Sequence, residues 1–237
     1  MSPFDSTAVL HPLPNPQALQ EAARDFRYLL NRGYPRKLCL DLVGNRYQLT
    51  SDQRHLLHRG VFSVTDSRSR KTKRTPVSRI SGERLAVDGY NVLITVEAGL
   101  AGRPLIMGDD GFIRDISGLS GSFKKTAWTE KALQLILDVL KTIKPHHTLF
   151  LFDSPISKSG RLAEEVRGRL MKENLPGDAE AVKVPESILI GFKGIIATSD
   201  TAIIDQSKRV VDLAGYVLTR RVKARSILRW RRKRASL

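Results

Sequence analysis

The residues best suited to chemistry are acids that follow three short apolar runs. Asp88 ends Leu-Ala-Val-Asp, Asp153 ends Leu-Phe-Leu-Phe-Asp, and Asp200 ends Ile-Ile-Ala-Thr-Ser-Asp. In an open parallel sheet the carboxyl ends of the strands meet at one edge, where polar groups can converge on a ligand. The three runs therefore predict a shared acidic site.

The acids predict a divalent metal, because carboxylates held close together repel one another and a cation relieves that repulsion. Mg²⁺ and Mn²⁺ favour such oxygen ligands, and a bound ion can polarise a phosphodiester and activate a water. Asp205 is a further candidate ligand, and the carboxamide of Asn91 could orient a ligand or substrate. The alternative for any single strand-end Asp is a helix N-cap, a role that Asp200 could also fill.

The charge of the chain indicates a polyanionic partner. Its 40 Lys and Arg residues outnumber its 24 Asp and Glu residues, for a net charge of +16. The excess lies at the ends: residues 1–80 carry 14 basic and 6 acidic residues, 81–215 carry 17 and 18, and 216–237 carry 9 and 0. Basic flanks around an acidic centre favour binding to nucleic acid. The alternative is that the basic flanks only keep the protein soluble.

The first part of the chain predicts three helices. Asn15-Pro16 is a typical helix start, and apolar residues recur at helical spacing up to Gly33. A second helix should run from Pro35 to Gly44, and Thr50 to Gln53 matches a capping box that opens a third, ending at Gly60. About 45 residues make a marginal core, so we expect this unit to pack on the next domain or on a second copy of the chain.

The rest of the chain alternates strands and helices, which predicts an α/β fold with a mostly parallel sheet and helices on both faces. An irregular, Gly-rich passage is expected at 102–127. The predicted strands are 85–88, 148–153, 181–184, 194–198 and 209–213. The predicted helices are 91–101, 129–143, 159–173 and 200–206.

Two basic segments predict nucleic-acid contacts outside the sheet. Residues 67–79 contain no acid and are expected to form a flexible basic strap. The tail from 220 to 234 has nine basic residues and a tryptophan that could stack on a base. The candidate nucleic-acid-binding residues are Lys71, Lys73, Arg74, Lys124, Lys125, Arg221 and Trp230.

These motifs resemble those of a known family. Asp-Gly-Tyr-Asn after an apolar strand, the acid at 153, and Thr198-Ser199-Asp200 followed by Asp205 are similar to the motifs of PIN-like nucleases, nearer their NYN branch. The two-part arrangement also resembles a prokaryotic family catalogued as domain of unknown function 434, in which a small helical domain precedes a PIN-like one.

The resemblance implies a Mg²⁺- or Mn²⁺-dependent ribonuclease. Asp88, Asp153, Asp200 and Asp205 would be ligands, and Asn91 would orient a ligand or substrate. Thr198 and Ser199 would support the metal shell. The acid that PIN nucleases place on a helix between these motifs has three candidates here, Glu97, Asp109 and Asp110. The alternatives are an inactive nucleic-acid-binding protein and a phosphohydrolase acting on small nucleotides.

The sequence also predicts the cellular location of the protein, its partners and the boundaries of its segments. No apolar run approaches the roughly 18 residues of a membrane span, so we expect a cytoplasmic protein without membrane contact. The expected partners are RNA and a second copy of the chain in a homodimer. Five segments are predicted: a flexible N-terminus (1–16), a basic helical domain (17–62), a basic linker (63–82), the PIN-like domain (83–217) and a basic tail (218–237).

Overall fold

The structure is a computed structural model, and it describes residues 16–116, 123–224 and 227–230. The helices in these ranges are α1 (Pro16–Asn31), α2 (Arg36–Arg46), α3 (Ser51–Gly60), α4 (Val64–Lys73), α5 (Gly89–Leu100), α6 (Thr129–Ile143), α7 (Ser159–Lys172), α8 (Pro185–Ile190), α9 (Thr201–Gln206) and α10 (Leu213–Val217). The strands are β1 (Arg84–Asp88), β2 (Leu105–Met107), β3 (Ile113–Asp115), β4 (His147–Asp153), β5 (Gly177–Val182), β6 (Ile195–Ala197), β7 (Val210–Val211) and β8 (Ile227–Arg229).

The apolar runs form a five-stranded parallel sheet in the order β5-β4-β1-β6-β7. Val87 of the central strand pairs with Phe150 on one side and Ala197 on the other. This register brings the carboxyl ends of β1, β4 and β6 to one edge of the sheet. The predicted α/β class with a mostly parallel sheet is confirmed.

Helices cover both faces of this sheet, because side chains along a strand alternate between its two faces. Leu85 and Val87 belong to one buried cluster, which they share with residues of α5, α6, α7 and α10. Ala86, between them, belongs to a second cluster with residues of α8 and α9. The strand register is therefore fixed from both sides.

The predicted N-terminal helical unit is confirmed by α1, α2 and α3. At the start of α3, the Thr50 hydroxyl accepts a bond from the Gln53 amide and the Gln53 side chain accepts one from the Thr50 amide, which completes the capping box. Leu19 and Phe26 of α1 pack with Leu56 of α3 in a core that also includes Ile106 of β2. The helical unit thus shares its core with the following domain.

The prediction of a flexible strap at 67–79 is wrong for residues 67–73, which belong to α4. Ser63 caps this helix by accepting a bond from the Asp66 amide, and basic side chains fill the last turn. Composition misled the prediction because α4 buries little apolar surface. It is held instead by Arg70, which is only 6% exposed and is bound by acids of the second domain.

The prediction of an irregular passage at 102–127 is also wrong in part. Strands β2 and β3 form an antiparallel hairpin there, and β8 adds to β2 in parallel, making a second sheet of three strands. The hairpin turns at Gly111, whose positive φ of 84° suits glycine. Strands of three residues are too short to show a clear alternating pattern in sequence.

The tail departs from its prediction as well, within the residues that the structure describes there. Residues Leu218–Val222 form a π-helical turn, β8 joins the second sheet, and Trp230 is 9% exposed in the core of the helical unit. The prediction that Trp230 stacks on a base is therefore wrong for this arrangement, since its ring is enclosed by protein.

Replacing Trp230 with Ala should lower the free energy of unfolding by about 3 kcal/mol, as expected for emptying a buried aromatic site. The measurement is urea denaturation, and Trp128→Ala is the matched control, because Trp128 is 36% exposed. A Trp230→Ala protein as stable as wild type would show that this ring does not join the core.

Two further elements differ from the sequence prediction. Strand β5 begins at Gly177, several residues before the predicted 181–184, and α8 was not predicted. Within the described residues, none of the helices combines the length and the apolar character needed to cross a bilayer.

Candidate acidic site at the carboxyl edge of the sheet

Asp88 lies at the centre of the candidate site, where the middle strand β1 passes into α5. Its side chain is 9% exposed. The chain turns tightly there because the next residue is glycine: a Cβ on Gly89 would lie 2.4 Å from the Phe152 ring and 2.8 Å from the Leu151 carbonyl oxygen. Glycine thus lets α5 start close against β4, which places Asp88 beside the end of that strand.

The segment after β6 binds this region through hydrogen bonds. The Thr198 hydroxyl donates to Asp88 Oδ2 at 2.7 Å and accepts from the Asp200 amide at 3.0 Å. Asn91 Oδ1 accepts from both the amide and the hydroxyl of Ser199, at 2.8 and 3.0 Å. Asn91, Thr198 and Ser199 therefore tie the ends of β1 and β6 together. The predicted roles of Asn91 in orienting a ligand or substrate, and of Thr198 and Ser199 in supporting a metal shell, stay predictions.

Asp153 and Asp200 are close enough to Asp88 for their charges to act on it. Burial raises the pKa of Asp88 to about 7, and the charges of Asp200 and Asp153 add to the rise, whereas the Thr198 hydroxyl and the Asn91 amide oppose it. Partial burial likewise raises the pKa of Asp153, and the charge of Glu186 adds to it. The edge of the sheet thus carries acids around Asp88, and burial makes the ionised form of the Asp88 carboxyl less stable than it would be in water.

Glu186 is an acid at this edge that the sequence analysis missed. It lies in the first turn of α8, shortly after the end of β5, and its charge acts on Asp153. The signal in the sequence was Val-Pro-Glu, a typical helix start after a strand. The predicted strand at 181–184 overlapped this signal, so no helix was predicted there.

Tyr90 of the Asp-Gly-Tyr-Asn motif adds a buried donor next to these acids. Its ring lies 4.9 Å from that of Phe123 and 5.2 Å from that of Phe152, between ring centroids. Its hydroxyl is buried and has no hydrogen-bond partner among the residues that the structure describes. Burial and the charge of Asp153 raise the pKa of Tyr90 to about 12, so the hydroxyl keeps its proton.

The structure does not bring Asp205 into the site. It lies in the last turn of α9, about 7 Å along the helix from Asp200 at about 1.5 Å per residue. Both its carboxylate oxygens accept bonds from Arg70, each at 2.7 Å. The predicted role of Asp205 as a metal ligand is therefore corrected: it is the partner of a buried arginine.

Two candidates for the additional acid are likewise engaged elsewhere. Asp109 accepts two bonds from Arg27, at 2.8 and 3.0 Å. Asp110 accepts two from Arg114, both at 2.8 Å, and lies 3.6 Å from Arg70. Both acids lie in the β2–β3 hairpin and neutralise arginines there, the partly buried Arg27 and the buried Arg114, so their carboxylates do not belong to the acidic edge.

The third candidate, Glu97, is 2% exposed in α5. It lies about 12 Å along the helix from Gly89. One of its oxygens accepts a bond from the Thr126 hydroxyl at 3.5 Å, and burial raises its pKa. The structure places Glu97 inside the domain, away from Asp88.

The comparisons with known proteins can now be set beside this geometry. The family model described as "Domain of unknown function (DUF5616)" matches residues 77–216, more than half of the chain. The chain belongs to the DUF5616 family. Its helical unit matches "Protein of unknown function (DUF434)" over residues 18–73, as the sequence resemblance predicted.

A curated relative spans nearly the same two parts. "Uncharacterized protein MJ0935" of Methanocaldococcus jannaschii is 33% identical over 203 residues, which cover 85% of this chain and 97% of the relative. No solved structure matches the chain. The DUF434 match ends at residue 73, so α4 is counted with α1, α2 and α3 in the helical unit from here on. The DUF5616 match contains the whole acidic edge.

The basic residues predicted to bind nucleic acid fall into two groups in this DUF5616 protein. Several are used within the fold: Lys73 donates to the carbonyls of Ile204 and Asp205, Lys125 pairs with two glutamates, and Arg221 donates to Thr142. Lys71 and Lys124 are exposed. Arg74 is half exposed and lies 3.9 Å from Asp212.

The predicted metal ligands do not form a complete binding group among the described residues of the DUF5616 domain. In the part of the chain that the structure describes, no three His, Cys, Asp or Glu side chains are grouped closely enough to hold a metal ion. One reason is visible at Asp200, whose Oδ1 caps α9 by accepting bonds from the amides of Ala202 and Ile203. The helix N-cap role considered from sequence is therefore real.

Proposed function

We propose that this DUF5616 protein is a PIN-like ribonuclease that hydrolyses RNA phosphodiesters with Mg²⁺ or Mn²⁺ bound at the acidic edge. The observation that carries the proposal is that Asp153 and Asp200 lie near the buried Asp88, so that both their charges raise its pKa. Three acids from the ends of three neighbouring strands lie in one electrostatic environment, and the central one is buried without a cationic partner among the described residues. Such an environment favours cation binding over three separate anions.

The donor chemistry fits a hard divalent cation. Asp88, Asp153 and Asp200 would hold it, and Glu186 would add negative charge beside Asp153. When bound, the ion would polarise the phosphodiester and lower the pKa of a water. Asp200 can take part through its second oxygen, because the helix amides bind Oδ1.

The neighbouring polar residues have roles that need no metal. Thr198 and Asn91 hold the β1 and β6 ends together, so they orient Asp88 and Asp200. The Tyr90 hydroxyl, which has no partner among the described residues, keeps its proton and so adds no negative charge beside Asp153.

A basic cleft supports nucleic acid as the substrate class. The cleft has a volume of about 920 Å³ and lies between the segment that follows α4 and the helix α10. Lys71, Arg74 and Arg220 line it, together with the hydroxyl-bearing Ser78 and Thr219. Asp110 and Asp212 also line the cleft, whereas Asp88, Asp153 and Asp200 do not, so the cleft lies apart from the acidic edge. Its three cations and hydroxyls suit a phosphate backbone, whose contacts give affinity without sequence preference.

A second function, nucleic-acid binding without catalysis, is favoured by the structural roles that the acids already have. Asp200 caps α9, Asp88 is bonded to Thr198, and no three-ligand group occurs among the described residues. The acids would then serve to join strand ends, and the basic cleft would bind RNA alone.

The deciding experiment is cleavage of labelled RNA and single-stranded DNA with Mn²⁺ or Mg²⁺ by wild type, Asp88→Asn and Asp200→Asn. We expect metal-dependent RNA cleavage by wild type and a loss of at least about 100-fold in each variant, since each removes a charge from the site. Asp138→Asn is the control, because Asp138 lies on α6 and its side chain is 43% exposed.

Two outcomes would reject the nuclease. RNA binding that persists in all proteins without cleavage would leave the binding function. Turnover of mononucleotides with no action on RNA would replace it with a phosphohydrolase.

A further inference from the structure

The Thr198–Ser199–Asp200 turn is held from two sides. On the side of the acidic edge, Asp88 and Asn91 bind Thr198 and Ser199. On the other side, Arg114 of β3 donates from Nε to the Ser199 carbonyl oxygen at 2.7 Å. Arg114 is 2% exposed, so this bond is made out of contact with water.

Arg114 is fixed in turn by a buried network of charges. Both its terminal nitrogens donate to Asp110, whose side chain is fully buried. Arg70 of α4 lies 3.6 Å from the same carboxylate and donates two bonds to Asp205. The Phe62 ring lies under both guanidinium groups, 4.5 Å from Arg70 and 5.1 Å from Arg114.

This network connects the helical unit to both ends of α9. Arg70 binds Asp205 in the last turn, and Lys73 donates to the carbonyl oxygens of Ile204 and Asp205. Through Asp110 and Arg114, the same network reaches the Ser199 carbonyl just before the first turn. The helix that Asp200 caps is therefore held at each end by contacts that begin in α4 or in the hairpin.

We propose that Arg70 and Arg114 are positioning residues through which the helical unit sets the Thr198–Asp200 turn, and with it the arrangement of the acidic edge. The effect on metal binding rests on the proposed function; the effect on the turn does not. The helical unit then has a purpose beyond binding nucleic acid: it completes the support of the acids. The arginines of the helical unit named above, Arg27 and Arg70, neutralise acids within the protein.

The competing explanation is that Arg70 only joins two domains and adds general stability. The chain offers a matched comparison in Arg27, which also comes from the helical unit and also binds a hairpin acid, Asp109, through two hydrogen bonds. In the described contacts, the Arg27 pair does not touch the Thr198–Asp200 turn. Arg70→Gln and Arg27→Gln therefore remove similar interdomain pairs with different connections to the acidic edge.

The test is hydrogen exchange of the full-length protein, followed in peptides that cover residues 195–206. In Arg70→Gln we expect amide exchange there to accelerate about tenfold or more relative to wild type, as loss of hydrogen bonds to a charged group implies. Arg27→Gln should leave these peptides unchanged, and Arg70→Lys should restore part of the protection. Equal acceleration in the two Gln variants, or none in Arg70→Gln, would overturn the proposal.

A second readout separates this inference from the proposed function. Binding of Mn²⁺ alone, followed by electron paramagnetic resonance, should weaken at least about tenfold in Arg70→Gln and stay unchanged in Arg27→Gln. If wild type binds no Mn²⁺, the nuclease proposal fails, and the exchange experiment still decides whether Arg70 positions the turn. Unchanged Mn²⁺ affinity in Arg70→Gln would show that the turn does not govern the acids.

Discussion

Replacing Asp88 with Asn should make the protein more stable at pH 7 and above while abolishing any metal-dependent cleavage. Asparagine keeps the shape of the side chain and an oxygen that can accept the Thr198 hydrogen bond, but it carries no charge. The buried carboxyl of Asp88 has a pKa raised from 3.8 to about 7. At about 1.4 kcal/mol per pKa unit, this corresponds to a cost on the order of 4 kcal/mol for ionising it in the folded protein.

The sign of the pH dependence follows from proton binding. A carboxyl with a higher pKa in the folded state holds its proton more tightly when the protein is folded. Its contribution to the free energy of unfolding is therefore fully present below the unfolded pKa and is lost as the pH rises through the folded pKa. The free energy of unfolding of wild type should therefore fall between pH 3.8 and about pH 7 relative to Asp88→Asn. The two proteins should differ little at pH 4 and most at pH 8.

The measurement is urea denaturation of both proteins from pH 4 to pH 8, first with EDTA and then with Mn²⁺. A bound cation should stabilise wild type at pH 8 by about 2.7 kcal/mol at a concentration 100 times its dissociation constant. It should leave Asp88→Asn unchanged. A stability difference that does not vary with pH would refute the raised pKa, and equal stabilisation of both proteins by Mn²⁺ would place the ion elsewhere.

The sequence predicted the elements that depend on local patterns. The helix at 129–143 is found at those bounds because its apolar residues recur at helical spacing, and α3 begins at the predicted capping box. The position of the ends of β1, β4 and β6 at one edge followed from the parallel arrangement of neighbouring strands. These features are set by neighbours within a few residues or by a general rule of topology.

The rest depended on partners that are distant in sequence. Arg70 in a run of basic residues looks like a solvated charge, and only the fold reveals that Asp110 and Asp205 neutralise it. The same holds for Trp230, which follows a basic segment yet lies in the helical core. Pairing between distant charges leaves no periodic signal, so the sequence overestimated the cations available to nucleic acid.

Replacing Asp110 with Asn should lower the free energy of unfolding by about 3 to 5 kcal/mol, because removing one member of a buried ion pair leaves the other uncompensated. Arg114, with 3% side-chain exposure, loses its carboxylate partner, and Arg70, with 7%, loses one of its two neighbouring carboxylates and keeps Asp205. Burial alone would raise the pKa of Asp110, but the charges and hydrogen bonds of Arg114 and the charge of Arg70 hold it below its ordinary value.

The pH dependence of this variant should be opposite to that of Asp88→Asn. A carboxyl with a lowered pKa stabilises the fold above its unfolded pKa of 3.8, and that contribution is lost as the pH falls further. The difference in free energy of unfolding between wild type and Asp110→Asn should thus be largest at pH 7 and should become smaller below pH 3.8.

The matched control for urea denaturation is Asp178→Asn, which removes a carboxylate 2.6 Å from Arg167 in a pair whose side chains are both 44% exposed. Solvent screens such a pair, so its loss should change stability little. If Asp110→Asn proved as mild as Asp178→Asn, the hairpin would not hold Arg70 and Arg114. The proposed link from the helical unit to Ser199 would then lose its central contact.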